Sequence, residues 1–130
     1  MKRLIVFLLL LSTVSLFTTS CKEDDESPAD LLIGSWKFST YVRTECEDPA
    51  DNESETCTVD CEVITFTTDK VTYGDGDTDP YTISGNQITL GTGSKPETFE
   101  FSISGSTLIL TSKRLPADGG CKEVTTLIRV

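Results

Sequence analysis

The chain has no histidine among its 130 residues. That removes the side chain most often used as a general base and as a metal ligand near neutral pH. No serine or cysteine has an imidazole to activate it, so the usual nucleophile arrangements are excluded and the chain reads as a non-enzyme. Cations are scarce as well: 11 Lys and Arg stand against 21 Asp and Glu, for a net charge of −10. So acidic a protein is repelled by phosphate backbones, which sets nucleic acid aside as a partner. No helical period of useful length runs beyond the first twenty residues, and no cofactor is expected. Gly91-Thr92-Gly93-Ser94-Lys95 lacks the second half of a phosphate loop and the helix that would follow, so it reads as a turn. The pair-plus-pair spacing of a zinc site is missing too, since Cys46 and Cys121 stand apart from the CxxxC of Cys57 and Cys61.

What is present begins at the N-terminus. Met1-Lys2-Arg3 is followed by an apolar run from Leu4 to Leu11 and on to Phe17, then by Thr18-Thr19-Ser20-Cys21. The run is short and diluted by Ser12, Thr13 and Ser15, which fits a secretory signal and not a membrane span. Small residues directly before a cysteine make it resemble a bacterial lipoprotein signal. Thr19, Ser20 and Cys21 fit that pattern, while Thr18 stands where leucine is usual. The resemblance implies cleavage after Ser20 and lipidation of Cys21. Each buried methylene contributes about 0.8 kcal/mol, so two or three acyl chains would hold the protein stably on a membrane.

Lys22-Glu23-Asp24-Asp25-Glu26 resembles the lysine-plus-acids tag of surface lipoproteins in some Gram-negative bacteria, which implies outer-membrane attachment and cell-surface display. Without that resemblance it reads as a solvated acidic tether. Ordinary secretion with a neighbouring cleavage site is the alternative for the leader. The expected organisation is a signal over 1–20, an acidic flexible tether over 21–32 and one domain over 33–130. Removal of Lys2 and Arg3 takes the basic count from 11 to 9 against 21 acids, a net charge of −12.

From Gly34 onward the chain reads as short strands between turns. Trp36, Phe38, Thr40 and Val42 alternate with Lys37, Ser39, Tyr41 and Arg43, a period of two. Eight strands are predicted, over 34–43, 61–67, 70–74, 80–84, 87–91, 97–103, 107–113 and 122–130. The segment between Cys46 and Cys61 reads as a long acidic loop pinned by its cysteines. Most connections are of two to six residues, which favours antiparallel neighbours. The fold class is all-β, an eight-stranded antiparallel up-and-down barrel whose closure removes both sheet edges, with a β-sandwich as the alternative.

Gly34-Ser35-Trp36 on the first strand resembles the Gly-x-Trp signature of lipocalins and their smaller relatives. The resemblance implies that Trp36 plugs one barrel end and that an arginine near the last strand, here Arg129, stacks on it. The chain departs from full lipocalins in being shorter and in lacking their helix before the last strand. Trp36 as an ordinary core residue is the plainer account.

In such a barrel Cys46, Cys61 and Cys121 fall at one rim, and Cys46 can reach either of the other two. Four cysteines in an exported domain read as two disulfides. Cys57 takes whichever partner remains, and among the three connectivities Cys46–Cys57 with Cys61–Cys121 is preferred because it leaves the acidic loop as a compact staple.

Phe38, Phe66, Tyr73, Tyr81, Phe99 and Phe101 are candidates to line a ligand site, with Val42, Ile64, Ile83, Ile88, Leu90, Ile103, Leu108 and Leu110 also expected inside. A barrel of this size is either filled by side chains or holds one small ligand. Asp75, Asp77 and Asp79 recur like the start of a calcium loop, but the distal glutamate is missing and Pro80 intervenes, so a solvated hairpin is preferred and no metal is expected. The functional expectation is a monomeric, membrane-anchored outer-membrane lipoprotein whose barrel binds a small apolar ligand. The alternative is a non-catalytic module that docks another envelope protein through its acidic loop and rim.

Overall fold

The computed structural model describes residues 26–92, 94–114 and 119–130. The expected signal over 1–20, Cys21 and residues 22–25 of the tag lie outside the described residues. Among the described residues nine strands form one sheet: β1 (Gly34–Thr44), β2 (Glu53–Thr56), β3 (Val63–Phe66), β4 (Lys70–Thr72), β5 (Thr78–Ser84), β6 (Gln87–Leu90), β7 (Glu97–Ser104), β8 (Thr107–Lys113) and β9 (Lys122–Arg129). Every pairing is antiparallel. β1 also pairs with β9, from Trp36 opposite Arg129 to Thr44 opposite Lys122. The sheet therefore closes into an eight-stranded barrel of β1 and β3–β9, and a two-layer sandwich is excluded.

A short helix, α1 (Pro28–Leu32), precedes the barrel. Ser27 caps it: its Oγ accepts from the Asp30 amide at 3.2 Å and donates to the Asp30 carboxylate at 2.7 Å, with Pro28 at the first helical position. Leu32 at its end is completely buried. Residues 28–32, expected to belong to a flexible tether, are instead part of the folded domain, because an isolated leucine gains by lying over the barrel end that α1 closes.

That end is the core. Leu32, Trp36, Phe66, Val71, Ile88 and Leu108 are fully buried, and each aliphatic or phenyl side chain among them contributes about 1.5–3 kcal/mol by leaving water. The Phe66 and Tyr81 rings meet edge to face, 5.4 Å apart.

β1 departs from its simple alternation. Phe38 sits opposite Leu127, but Thr40 sits opposite Thr126, so Ser39 is a one-residue bulge. A single extra residue swaps the two faces of everything beyond it. Val42, expected inside, therefore shares the outer face with Val124, while Tyr41 and Arg43 turn inward opposite Thr125 and Glu123.

The acidic segment also departs from expectation. It contains a 3-10 turn (Pro49–Asp51) and β2, which pairs with the upper half of β1 while β3 pairs with the lower half. Thr40 faces Thr56 and Lys37 faces Val63, so three steps along β1 correspond to seven along its partner, and four residues are looped out. Hydrogen bonds flank the excursion, from the Cys57 amide to Ser39 O and from the Phe38 amide to Glu62 O, both 2.8 Å. β2 and β3 thus behave as one interrupted strand.

Candidate functional site

The disulfides follow from that interruption. Cys57 and Cys61 are bonded across the mouth of the four-residue excursion, and Cys46 is bonded to Cys121. The pairing Cys46–Cys57 with Cys61–Cys121 is incorrect. It placed Cys61 at the rim, whereas β3 pairs only with the first half of β1 and leaves Cys61 midway up the wall, next to Cys57. Cys46 and Cys121 are the pair that truly share the rim, two residues past Thr44 and one before Lys122.

At the closed end the structure brings Gly34, Trp36 and Arg129 together. The Arg129 guanidinium lies over the indole, 4.2 Å from the ring centroid. It also donates to Ile33 O at 3.0 Å and to Leu31 O, while Trp36 Nε1 donates to Leu32 O at 2.8 Å. The three carbonyls at the end of α1 are thereby satisfied by two side chains of the barrel. Gly34 has φ +131°, and a Cβ there would lie 2.7 Å from Arg129 Nη1, so this close approach requires glycine.

At the opposite end, the open mouth, the inward turn of Tyr41 and Arg43 builds a charged network that alternation alone does not foresee. Glu123, whose side chain is 12 % exposed, accepts from Arg43 Nε at 3.2 Å, from Arg114 Nε at 2.9 Å and from Ser112 Oγ at 3.4 Å. Arg43 Nη1 reaches Glu53 on β2 at 3.3 Å, and its Nε also lies 3.1 Å from the Tyr41 hydroxyl. Burial pushes the Glu123 carboxyl pKa up, but the Tyr41 hydroxyl and the Arg114 and Arg43 charges outweigh it, so the pKa falls below its ordinary 4.5. Burial, with Glu123 nearby, raises that of Tyr41.

A depressed carboxyl pKa stabilises the fold fully above 4.5, and the contribution is lost as pH falls through the lower folded value. Glu123→Gln should therefore cost about 1–2 kcal/mol at neutral pH, the low end for a charge-assisted network because Arg114 is half exposed. Denaturant melts of both proteins should converge as pH falls through that lowered folded value. A gap that persists in acid would show that shape, not charge, sets the cost.

The six aromatic candidates are not gathered around one cavity. Phe66, Tyr81 and Phe101 are buried in the core, Tyr73 and Phe99 pack against it, and Phe38 is half-buried on β1. Three clefts each take one of them: Phe99 at a polar cleft of about 600 Å³ by Arg114, Tyr73 at one of about 680 Å³ by Glu62, and Phe101 at one of about 400 Å³ beneath α1. The physical reason is the short strands, whose facing side chains meet across the axis.

Tyr73 donates to Asp79 at 3.1 Å; burial first, then that carboxylate and the charges of Glu97 and Glu62, push its pKa up to about 12. Asp75 accepts from the Asp77 amide at 3.0 Å within the turn. The carboxylates of Asp75 and Asp79 thus serve different partners, and no three acidic or cysteine side chains converge as a metal site among the described residues.

No known protein family, curated protein or solved structure matches this chain.

Proposed function

We propose that this chain is a lipid-anchored outer-membrane protein, displayed at the cell surface, whose barrel is a rigid scaffold that docks another envelope protein through its acidic segment and rim. The observation that carries the reading is the build of that segment. Eight acidic residues lie between Glu45 and Glu62, with no basic residue between Arg43 and Lys70. Like charges so dense repel one another, and a solvated loop would be expected. Instead the segment is tied by two disulfides, by β2 and by the Asn52 side chain, which accepts from the Cys46 amide at 3.4 Å. Holding repelling charges in fixed positions costs free energy, and a pre-organised partner surface is a use for it.

The position of the segment agrees. The chain enters the barrel at the closed end through α1, and the five steps from Cys21 to Glu26 reach at most about 18 Å. A lipid on Cys21 would hold the closed end towards the membrane and direct the mouth and acidic segment away from it. Cys21→Ala should release the protein from membranes into the soluble fraction; unchanged membrane association and mobility of the variant would refute the anchor.

A second reading, a small apolar ligand, is favoured by the cleft of about 400 Å³ lined by Pro28, Leu31, Asn86, Phe101 and Ile103. Its position would be beneath α1 and not within the mouth. Native mass spectrometry of the protein purified from its own cells separates the two. A repeatedly recovered envelope protein supports docking, and a co-purifying small molecule supports the ligand.

A further inference from the structure

A closed barrel has no unpaired edge, yet this molecule retains one. β2 pairs with β1 on one side and with nothing on the other among the described residues. β3 continues its line and is partly covered, since β4 pairs with Thr65 and Phe66 and the Glu62 side chain accepts from the Gly74 amide at 3.2 Å. Among the described residues no such cover reaches β2, whose four residues are all exposed.

The ladder fixes which backbone groups are available. The Cys57 amide donates to Ser39 O, so by the two-residue alternation of an antiparallel pair Glu55 and Glu53 also face β1. Ser54 and Thr56 then direct their N–H and C=O groups away from the barrel. Natural edges are commonly blunted by lysine, proline or a bulge, and Glu-Ser-Glu-Thr has none of these. Its protection is of one sign only: Glu53 and Glu55 on the strand, with Asp51, Asp60 and Glu62 beside it. Two copies pairing β2 to β2 would oppose acidic strands, and like charges across a ladder are destabilising. A basic strand meets the opposite situation.

We propose that β2 is a strand-addition site for an extended basic segment of a partner protein, which hydrogen-bonds to Ser54 and Thr56 while its Lys or Arg side chains pair with the acidic segment. This rests on the docking reading and names the chemistry of the partner. The Cys57–Cys61 bond has a role in it: by closing the excursion it keeps β2 in line with β3, so the edge is presented straight.

The test uses the full chain in detergent and a capped heptapeptide, Lys-Thr-Lys-Val-Lys-Thr-Lys, followed by NMR titration and amide exchange. Binding should protect the Ser54 and Thr56 amides. N-methylation of alternate peptide amides, which keeps the charge and removes the donors, should weaken it about tenfold or more. Glu55→Lys should weaken it similarly, and Thr56→Pro should abolish the protection while an unchanged melt shows that the fold is kept.

Equal binding of the N-methylated peptide would overturn strand addition. No binding of either peptide would overturn the proposal, while the docking reading would still be decided by what co-purifies from cells. Edge protection by the peptide with no recovered partner would support the site and count against the docking reading.

Discussion

Replacing Cys46 and Cys121 together by serine is expected to lower the unfolding free energy by about 4 kcal/mol, against about 2 kcal/mol for the Cys57/Cys61 pair. The bonds span 75 and 4 positions of sequence. Loop-closure entropy removed from the unfolded chain grows with the logarithm of that span, which gives the ordering. For a domain of this size, about 4 kcal/mol is a large part of a total near 5–15 kcal/mol. The position of Cys46–Cys121 adds to it, since the bond ties the far end of the β1–β9 seam that closes the barrel. Guanidinium melts of the two double variants without reductant decide the matter, and equal losses would refute the loop-length account.

The short bond should act locally. Without it the excursion is free to open, and the amides of β2 should exchange faster while those of β7 and β8 keep their rates. Global stability and the shape of the acidic segment are thus assigned to different disulfides, one long and one short.

The barrel was legible in the sequence because its signals are local. Short connections and alternation from Tyr81 to Leu110 locate β5–β8 to within a few residues. Gly34, Trp36 and Arg129 could be named because the resemblance to a Gly-x-Trp signature implied them, and the closing β1–β9 pair sets Trp36 directly opposite Arg129. The mouth was not legible, and one residue is the reason. Ser39 carries no mark of a bulge, yet it reverses the faces of Tyr41, Val42 and Arg43. Arg43 and Glu123 in strands expected to be half-buried were the available hint, since charges there need a partner. β2 escaped because Glu53-Ser54-Glu55-Thr56 has no apolar face; it forms because β1 extends past the end of β3 and offers a free edge. The cysteine pairing failed for the same reason, as only that longer β1 separates Cys61 from the rim.

The second large effect is expected at the closed end. Trp36→Ala should cost about 3–5 kcal/mol, because it empties a fully buried indole site that Leu32 cannot fill without α1 moving. Arg129→Ala should cost about 2–3 kcal/mol, as two carbonyls at the end of α1 lose their donor and the indole loses its cation. The losses should not add. Arg129 is positioned by the ring beneath it and by the missing Cβ at Gly34, so once Trp36 is gone part of its contribution is already lost. A double-mutant cycle should give a coupling of about 1–2 kcal/mol, and additivity within about 0.5 kcal/mol would show that stacking contributes nothing. Both side chains hold the carbonyls of α1, so the element most sensitive to either loss is the helix through which the chain enters. Its amides should therefore exchange faster in Arg129→Ala even where the barrel melts late. Loosening α1 would leave the mouth and β2 intact while freeing the direction in which they point, so stability and presentation become separable at this one contact.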